Sequence, residues 1–386
     1  MRIRLHRLLG VDESETEPVA LLLVMGFFMG MFIATVTVAS QSLFLSRFDE
    51  KTDLPTALLI SGAFGIAATV IYNFFQNRIS FTFLAILSLV TITVLTGVLE
   101  FGEGYFGQGR IYYLAFTMLI PFGFINYLIF WGTFSRLFSL RQTKKLVGSV
   151  DSGGLIASLI SFFSIPVILT YLDTADELYT ISLVSIIGFL ATFIFISLRY
   201  LRQAGGGRPE IVHQKVSLGQ FFSNKYIVYM SLFVTVAMIS INFVDYSFLN
   251  VTSLKFDDKA LPTFLSAFEG TVVVFSFVFQ TFATDRIISE YGLRVALIIN
   301  PILIGVFTVI SLLIGVQFGY TLETDSFIVF FLMIAMSKLV VRSLRDALDN
   351  PTFKLYLLPI ESHVRIDVQT KIEGTITAFA SLIAGG

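Results

Sequence analysis

The chain of 386 residues has no cysteine, which excludes both a disulfide framework and a thiolate metal site. Its three histidines, His6, His213 and His363, stand far apart in segments read as loops, so no metal centre and no cofactor is expected. Charge is scarce too. Asp, Glu, Lys and Arg make up 14% of the residues and the net charge is −1, which gives no basic surface for nucleic acid. The single tryptophan, Trp131, is too little for an interfacial tryptophan belt. The phosphate loop of nucleotide hydrolases, the paired-histidine zinc helix and the Gly-x-Ser-x-Gly elbow are all missing, so no enzyme class is indicated.

What the chain does have is apolar mass. Hydrophobic residues make up 55% of it and the mean hydropathy is +0.83, values a soluble domain of this length cannot carry. The 42 phenylalanines are expected chiefly on lipid-facing walls. Apolar segments recur at 19–45, 54–76, 79–99, 111–135, 147–171, 178–198, 226–249, 263–283, 292–316 and 327–348. Each suffices to cross a bilayer core, which takes about 20 helical residues. An eleventh begins near Ile372 and stops at Gly386; this abrupt ending reads as that of a fragment.

The N-terminus carries Arg2, Arg4 and Arg7, then Asp12, Glu13, Glu15 and Glu17, and the first apolar run starts only at Val19. That is a first transmembrane helix behind a short cytoplasmic segment rather than a cleavable signal. Placing the N-terminus inside leaves only Arg47, Lys51, Arg110, Lys255 and Lys259 outside, five of the 26 basic residues. The expectation is an inner-membrane protein with its N-terminus in the cytoplasm.

The segment Arg199–Lys225, with Gly205-Gly206-Gly207 inside it, reads as a flexible linker after the sixth span. The expected fold class is therefore all-α: a polytopic transmembrane bundle on a two-lobe, six-plus-six plan. Residues 1–198 form the first lobe and 199–225 the linker. Residues 226–386 form the second, with helices seven to ten and the start of an eleventh. Asp151-Ser152-Gly153-Gly154 and Glu373-Gly374-Thr375, each followed by Ala-Ser-Leu-Ile, open the fifth and eleventh spans as an internal echo. Asp285-Arg286 with Gly292-Leu293-Arg294 resembles the Asp-Arg…Gly-Arg turn of major-facilitator proteins.

Lys338, Arg342, Arg345 and Asp349 line one helical stripe in the tenth segment, with Asp346 beside it. Insertion scales put about 2.5–3.5 kcal/mol on each such charge at mid-helix, so the row is expected to face protein or a water-filled cavity. Lys338, Arg342 and Arg345 are candidate solute-binding or gating residues. The plainer alternative is a ladder of Arg342–Asp346 and Arg345–Asp349 pairs. Lys338 has no acid three or four positions away, so its partner must come from another helix. Glu269, deep in span eight, is a candidate proton-carrying carboxylate or a structural partner for Lys338. Asp245, nearer the outer end of span seven, is a candidate site residue or a solvated interfacial acid. Asp151 is a candidate coupling residue, or a partner for the basic cluster Arg141, Lys144 and Lys145 at the cytoplasmic mouth. That cluster either follows from positive-inside bias or draws an anionic solute inward. Gly153 and Gly154 are expected at a close helix approach, and Gly26 and Gly30 form a packing notch.

Three stretches together resemble the ATP/ADP translocase family of plastids and intracellular bacteria. They are Ile241-Asn242-Phe243-Val244-Asp245 running into Leu254-Lys255-Phe256 and Ser266-Ala267-Phe268; Lys338 through Ser343-Leu344 to Asn350-Pro351-Thr352-Phe353-Lys354 and Leu358-Pro359; and Phe130-Trp131-Gly132 followed by Lys144-Lys145. The resemblance implies a facilitator-like fold and nucleotide exchange by charged membrane residues, with Asp245 where relatives place a glutamate. Span one has Ala34-Thr35-Val36-Thr37-Val38-Ala39-Ser40 where the family has a charged motif. Asp53-Leu54-Pro55-Thr56 lacks the family's basic residue, and Leu119-Ile120-Pro121-Phe122-Gly123 lacks its acid.

The functional expectation is a transporter in the lipid bilayer that moves an anionic solute, a nucleotide among the candidates, by alternating access. One rival is a proton-coupled facilitator for another solute. The other is a transport-dead scaffold or sensor joined to a C-terminal soluble domain. The cysteine-free chain makes the orientation testable. A membrane-impermeant maleimide should label Lys51→Cys in intact cells and Gly206→Cys only after permeabilisation; the reverse pattern places the N-terminus outside.

Overall fold

The computed structural model describes residues 15–49, 51–76, 78–138, 140–172, 174–201, 218–319, 327–361, 364, 367–369 and 371–385. These residues contain helices and turns and no strand. The principal helices are α1 (Thr16–Leu45), α2 (Asp53–Gln76), α3 (Phe81–Phe101), α4 (Gln108–Thr117), α5 (Leu119–Leu137), α6 (Leu140–Ile168) and α7 (Leu178–Ile196). After the linker come α8 (Lys225–Lys255), α9 (Ala260–Phe279), α10 (Asp285–Phe318), α11 (Phe327–Leu344), α12 (Asn350–Tyr356) and α13 (Thr377–Gly385). His6, His213 and His363 and most of the 199–225 linker lie outside the described residues.

Among the described residues, seven helical stretches are long and apolar enough to cross a membrane, and eight if α4 and α5, bent by 45°, count as one span. Pro121 sits in the first turn of α5, where its missing amide hydrogen costs no helical bond. One stretch, Ala260–Gln317, runs 58 residues, about 87 Å of helix at 1.5 Å per residue and far more than one crossing needs. It holds two of the expected segments, separated where Gly292 takes φ 79° and ψ 168°, a conformation open to glycine and strained for other residues. This is the glycine of the facilitator-like turn. Arg286 ahead of it pairs with Glu290 at 2.9 Å.

Hydroxyl groups inside these helices bond their own backbone, the usual answer where water is scarce. Thr96 donates to the Ile92 carbonyl, Thr133 to Ile129 and Ser276 to Val272, at 2.7–2.9 Å. Bulky apolar side chains point outward, as in a lipid-facing wall: Val94, Val184, Leu312 and Val316 are all more than half exposed. The phenylalanines divide rather than gathering on that wall. Phe32, Phe44, Phe122, Phe189, Phe193 and Phe248 are fully buried. Lipid gives helices no hydrophobic reason to associate, so packing of flat rings against neighbours supplies part of the attraction instead.

The chain forms two compact units, residues 1–43 with 68–209 and residues 44–67 with 210–386. In the first, Gly30 lets the backbone at Ser158 of α6 come so near that a Cβ would lie 3.3 Å from its nitrogen, and Gly26 meets the Phe130 ring at 3.3 Å. The notch expected at these glycines is thus a packed contact. The close approach expected at Gly154 is absent among the described residues, since a Cβ there meets nothing within 4 Å; the contact lies one turn on, at Ser158. Buried hydroxyl pairs, Thr35 with Ser182 at 2.8 Å and Ser40 with Tyr179 at 3.2 Å, tie α1 to α7.

The second unit includes the first half of α2, which packs backbone to backbone on α13. A Cβ on Gly62 would lie 2.7 Å from the Leu382 nitrogen, and one on Gly385 would lie 2.4 Å from the Leu59 nitrogen. Neither neighbour is a flexible side-chain tip that can swing aside. Gly62→Ala should therefore destabilise the protein by about 1–3 kcal/mol, the range for forced overpacking. Gly97→Ala, where a Cβ meets nothing within 4 Å, should stabilise it by about 0.5–1 kcal/mol. Thermal unfolding in detergent checks both signs.

Candidate functional site

Lys338 lies about two-thirds of the way along α11, among Ile334, Ala335, Leu339 and Val341, and is 4% exposed. An ammonium group so placed needs its charge matched at close range, because the surrounding dielectric is low. Two other helices supply the match. Glu269 of α9 brings Oε1 to 2.9 Å of Lys338 Nζ, and Asp245 of α8 brings Oδ1 to 3.6 Å. The ammonium also lies 4.2 Å from the Phe248 ring centroid and 5.7 Å from that of Phe268, inside cation–π range. Phe248 and Phe268 stack on each other at 4.4 Å, so the carboxylates and the rings converge on one cation from the same two helices.

Arg342, one turn further along α11, extends the junction. Its Nη1 is 4.0 Å from Asp245 Oδ2 and its Nε is 3.7 Å from Asp346 Oδ2. Side-chain exposure rises along the series, from 5% for Lys338 through 16% for Glu269 and 26% for Asp245 to 37% for Arg342. The dry end therefore holds the tight Lys338–Glu269 pair and the wetter end the looser Arg342 contacts. Asp245 is a bridging partner of two bases rather than the isolated solvated acid its register allows.

Beyond Arg342 the helix changes character. Residues Arg345–Asp349 form a π turn, and the Asn350 amide reaches back five residues to the Arg345 carbonyl. The extra residue shifts the side chains out of α-helical register. Arg342 and Asp346 keep their expected pairing, but Arg345 and Asp349 do not form the second rung of the ladder among the described residues. Asp349 Oδ2 instead accepts from Asn300 Nδ2 of α10 at 2.6 Å, and the same Nδ2 donates to the Val341 carbonyl at 3.2 Å. Thr284, which ends a second π turn at Gln280–Thr284, donates to the Ala347 carbonyl at 2.8 Å. Ser343 donates to the Val272 carbonyl at 3.2 Å and helps hold α11 against α9.

The structure thus brings Lys338, Arg342, Glu269 and Asp245 together and sets Arg345 on the adjoining π turn. Asp151, Arg141, Lys144 and Lys145 fall on α6, and their side chains lie outside the described residues. Sequence reading missed Phe248, Phe268 and Asn300. A lone amide in the apolar run Ala296-Leu297-Ile298-Ile299-Asn300 was the one available signal for the last. The two rings were indistinguishable from the other 40.

These features define a multi-pass helical membrane protein with a charged interior. No family model matches the chain, and no curated protein matches it by sequence. Solved structures do match. A mutant of the nucleoside transporter NupG superposes with a TM-score of 0.66 at 13% identity, covering 95% of this chain and 89% of that one. A POT family transporter holding a thioalcohol-conjugated peptide gives 0.60 at 13% identity over 94% and 89%. The xylose transporter XylE from E. coli, in a partially occluded inward-open conformation, gives 0.59 at 12% identity over 95% and 89%. The fold is therefore of the major-facilitator type. The ATP/ADP translocase likeness found in the sequence is not shown by the family-model or curated-protein comparison.

Removing one partner of a buried ion pair strands the other, at about 3–5 kcal/mol, whereas replacing the pair with apolar groups is often neutral. Lys338→Met should therefore lower stability strongly by leaving Glu269 and Asp245 facing each other. Adding Glu269→Gln to it should recover a substantial part of the loss. Thermal melts of the single and double variants measure the coupling; simple additivity would mean the two groups do not interact.

Proposed function

We propose that the chain is a facilitator-type transporter of the inner membrane, N-terminus in the cytoplasm, that moves an anionic solute by alternating access. The observation that carries this reading is the junction in which Lys338 and Arg342 share the Asp245 carboxylate. A carboxylate or phosphate on a solute is the same kind of partner as Glu269 or Asp245. It can replace one of them beside Lys338 or Arg342 without leaving a base unmatched, provided that the displaced carboxylate takes up a proton or keeps its other base. The graded exposure gives a direction for that exchange, from the half-open Arg342 inward to Lys338.

The shared fold supports transport as the general activity but not a cargo, since neighbours with one architecture carry a nucleoside, a peptide and xylose. A nucleotide remains attractive because the resemblance of the Lys338–Lys354 stretch points to it and because nucleotides are anionic. One observation favours a second reading. Lys338 faces two carboxylates, and the excess negative charge can be neutralised by a proton on Glu269, the shape of a proton-coupled carrier.

Counterflow into proteoliposomes with labelled nucleotides, nucleosides and small organic phosphates or carboxylates tests both. For the cargo that is carried, Lys338→Ala should cut uptake by about 10- to 100-fold, the worth of one charge-assisted hydrogen bond, in protein shown by melting to be folded. Exchange of anions should be indifferent to an imposed proton gradient. Stimulation by the gradient, abolished in Glu269→Gln while counterflow persists, selects the proton-coupled carrier. If the wild type moves none of these solutes, the junction is a structural brace and the scaffold reading replaces transport.

A further inference from the structure

Next to the Lys338 junction the second unit buries another polar cluster, for which the transport reading has no use. Asn300 is 1% exposed, and both contacts of its Nδ2 are accounted for by Asp349 and the Val341 carbonyl. Its Oδ1 has no hydrogen-bond partner among the described residues. The same holds for Asp349 Oδ1 and for the Oγ1 of Thr352, which is fully buried. Eight buried side-chain atoms lack a partner among the described residues; two of them sit on the hydrogen-bonded pair Asn300–Asp349, and a third sits on Thr352, close by in the chain. Thr352 follows Asp349 by three residues, so the two share a helix face one turn apart. Thr271 and Ser276 quench their hydroxyls on the carbonyl four residues back, whereas Thr352 makes no such bond among the described residues.

The three atoms are an amide oxygen, a carboxylate oxygen and a hydroxyl oxygen. This is a hard, all-oxygen donor set with one formal charge, the kind that suits an alkali cation better than a soft metal. One carboxylate is too little for a divalent ion held without many waters. The local charge points the same way. Lys338, Arg342 and Arg345 stand against Asp245, Glu269, Asp346 and Asp349, three bases against four acids in one helical cluster. Arg345 and Asp346 are the charges that act on Asp349 from its own helix, and they oppose each other.

We propose that Asn300 Oδ1, Asp349 Oδ1 and Thr352 Oγ1 are protein ligands of a monovalent alkali cation of about sodium size, with water or backbone carbonyls completing its shell. The π turn is what makes the site. It rotates Asp349 away from Arg345 and onto Asn300, and so frees one carboxylate oxygen. Because the cation would sit between α10 and the turn after α11, its binding fixes the end of the helix that carries Lys338 and Arg342. Its role as a coupling ion rests on the transport reading; its binding does not.

The test is thermal unfolding of the full chain in detergent at constant pH and ionic strength, with lithium, sodium or potassium chloride replacing choline chloride. Sodium or lithium should raise the melting temperature by a few degrees in a saturable manner, as mass action on a folded-state site requires. The shift should vanish in Asp349→Asn and in the near-isosteric Thr352→Val, and survive in Glu269→Gln. No shift with any alkali cation overturns the proposal. So does a shift that persists in both site variants, or one lost only in Glu269→Gln, which places the ion at the Lys338 junction. A wild type that binds sodium but carries no solute would sink the transport reading and leave this site standing.

Discussion

One ammonium group organises the second unit. Lys338 is nearly sealed from solvent in the middle of an apolar helix, and a charge there is tolerable only with counter-charges a few ångströms away. Since α11 offers no acid at the right spacing, α8 and α9 must both present one, and the three helices are locked into a single relative rotation. Glu269 fixes α9 through its 2.9 Å contact, and Asp245 fixes α8 while also reaching Arg342. The stacked Phe248 and Phe268 face the cation from the same two helices. A hydrophobic seam would permit a helix to slide or turn by a residue at little loss. This junction does not, because any slip separates opposite charges in a medium that screens them poorly.

The π turns follow from a related constraint. An extra residue in a helix leaves a carbonyl badly placed for its own ladder, and in a membrane that group must find another donor. In the second unit the donors are side chains from neighbouring helices. Thr284 serves the Ala347 carbonyl, and Asn300 reaches the Val341 carbonyl just before the turn. Three π turns occur in this unit among the described residues, at Gln280–Thr284, Arg345–Asp349 and Lys371–Ile376. The first two are bonded to one another through Thr284. Such turns trade backbone regularity for the freedom to re-aim side chains, and at Asp349 the re-aimed side chain is a carboxylate.

The gross fold was legible because it depends on run length. Nine of the ten apolar segments fall on one helical stretch each and 111–135 on the bent pair α4 and α5; length and hydropathy carry that signal without any need for periodicity. Lys338 was legible for the same energetic reason that makes it important: a charge in an apolar run must be explained. Its need for a partner from elsewhere was legible too, from the absence of acids at helical spacing. Which acids answered was not, because pairing depends on helix rotation, and the outer register of Asp245 suggested water instead. The Arg345–Asp349 rung failed because regular spacing was extrapolated through a π turn. No local composition in Arg345-Asp346-Ala347-Leu348-Asp349 announces that turn. The hydrophobicity of phenylalanine says membrane, but not whether a given ring meets lipid or another ring, and both occur.

The two units answer the same burial problem with different emphasis. In the first, hydroxyl pairs join helices at Thr35–Ser182 and Ser40–Tyr179, and the buried Glu15 accepts from Gln142. In the second, neutral contacts such as Asn242–Ser381 stand beside the ion pairs of Lys338. The difference matches the sequence, where spans one, two and four lack the charges that the resembled family places there, while the tenth span is rich in them. Stability alone gives no account of the asymmetry. A well-packed apolar junction is often at least as stable as a buried ion pair. A cluster of bases and acids that is nearly neutral, tight at one end and half-open at the other can accept an ion or release one for a small change in charge.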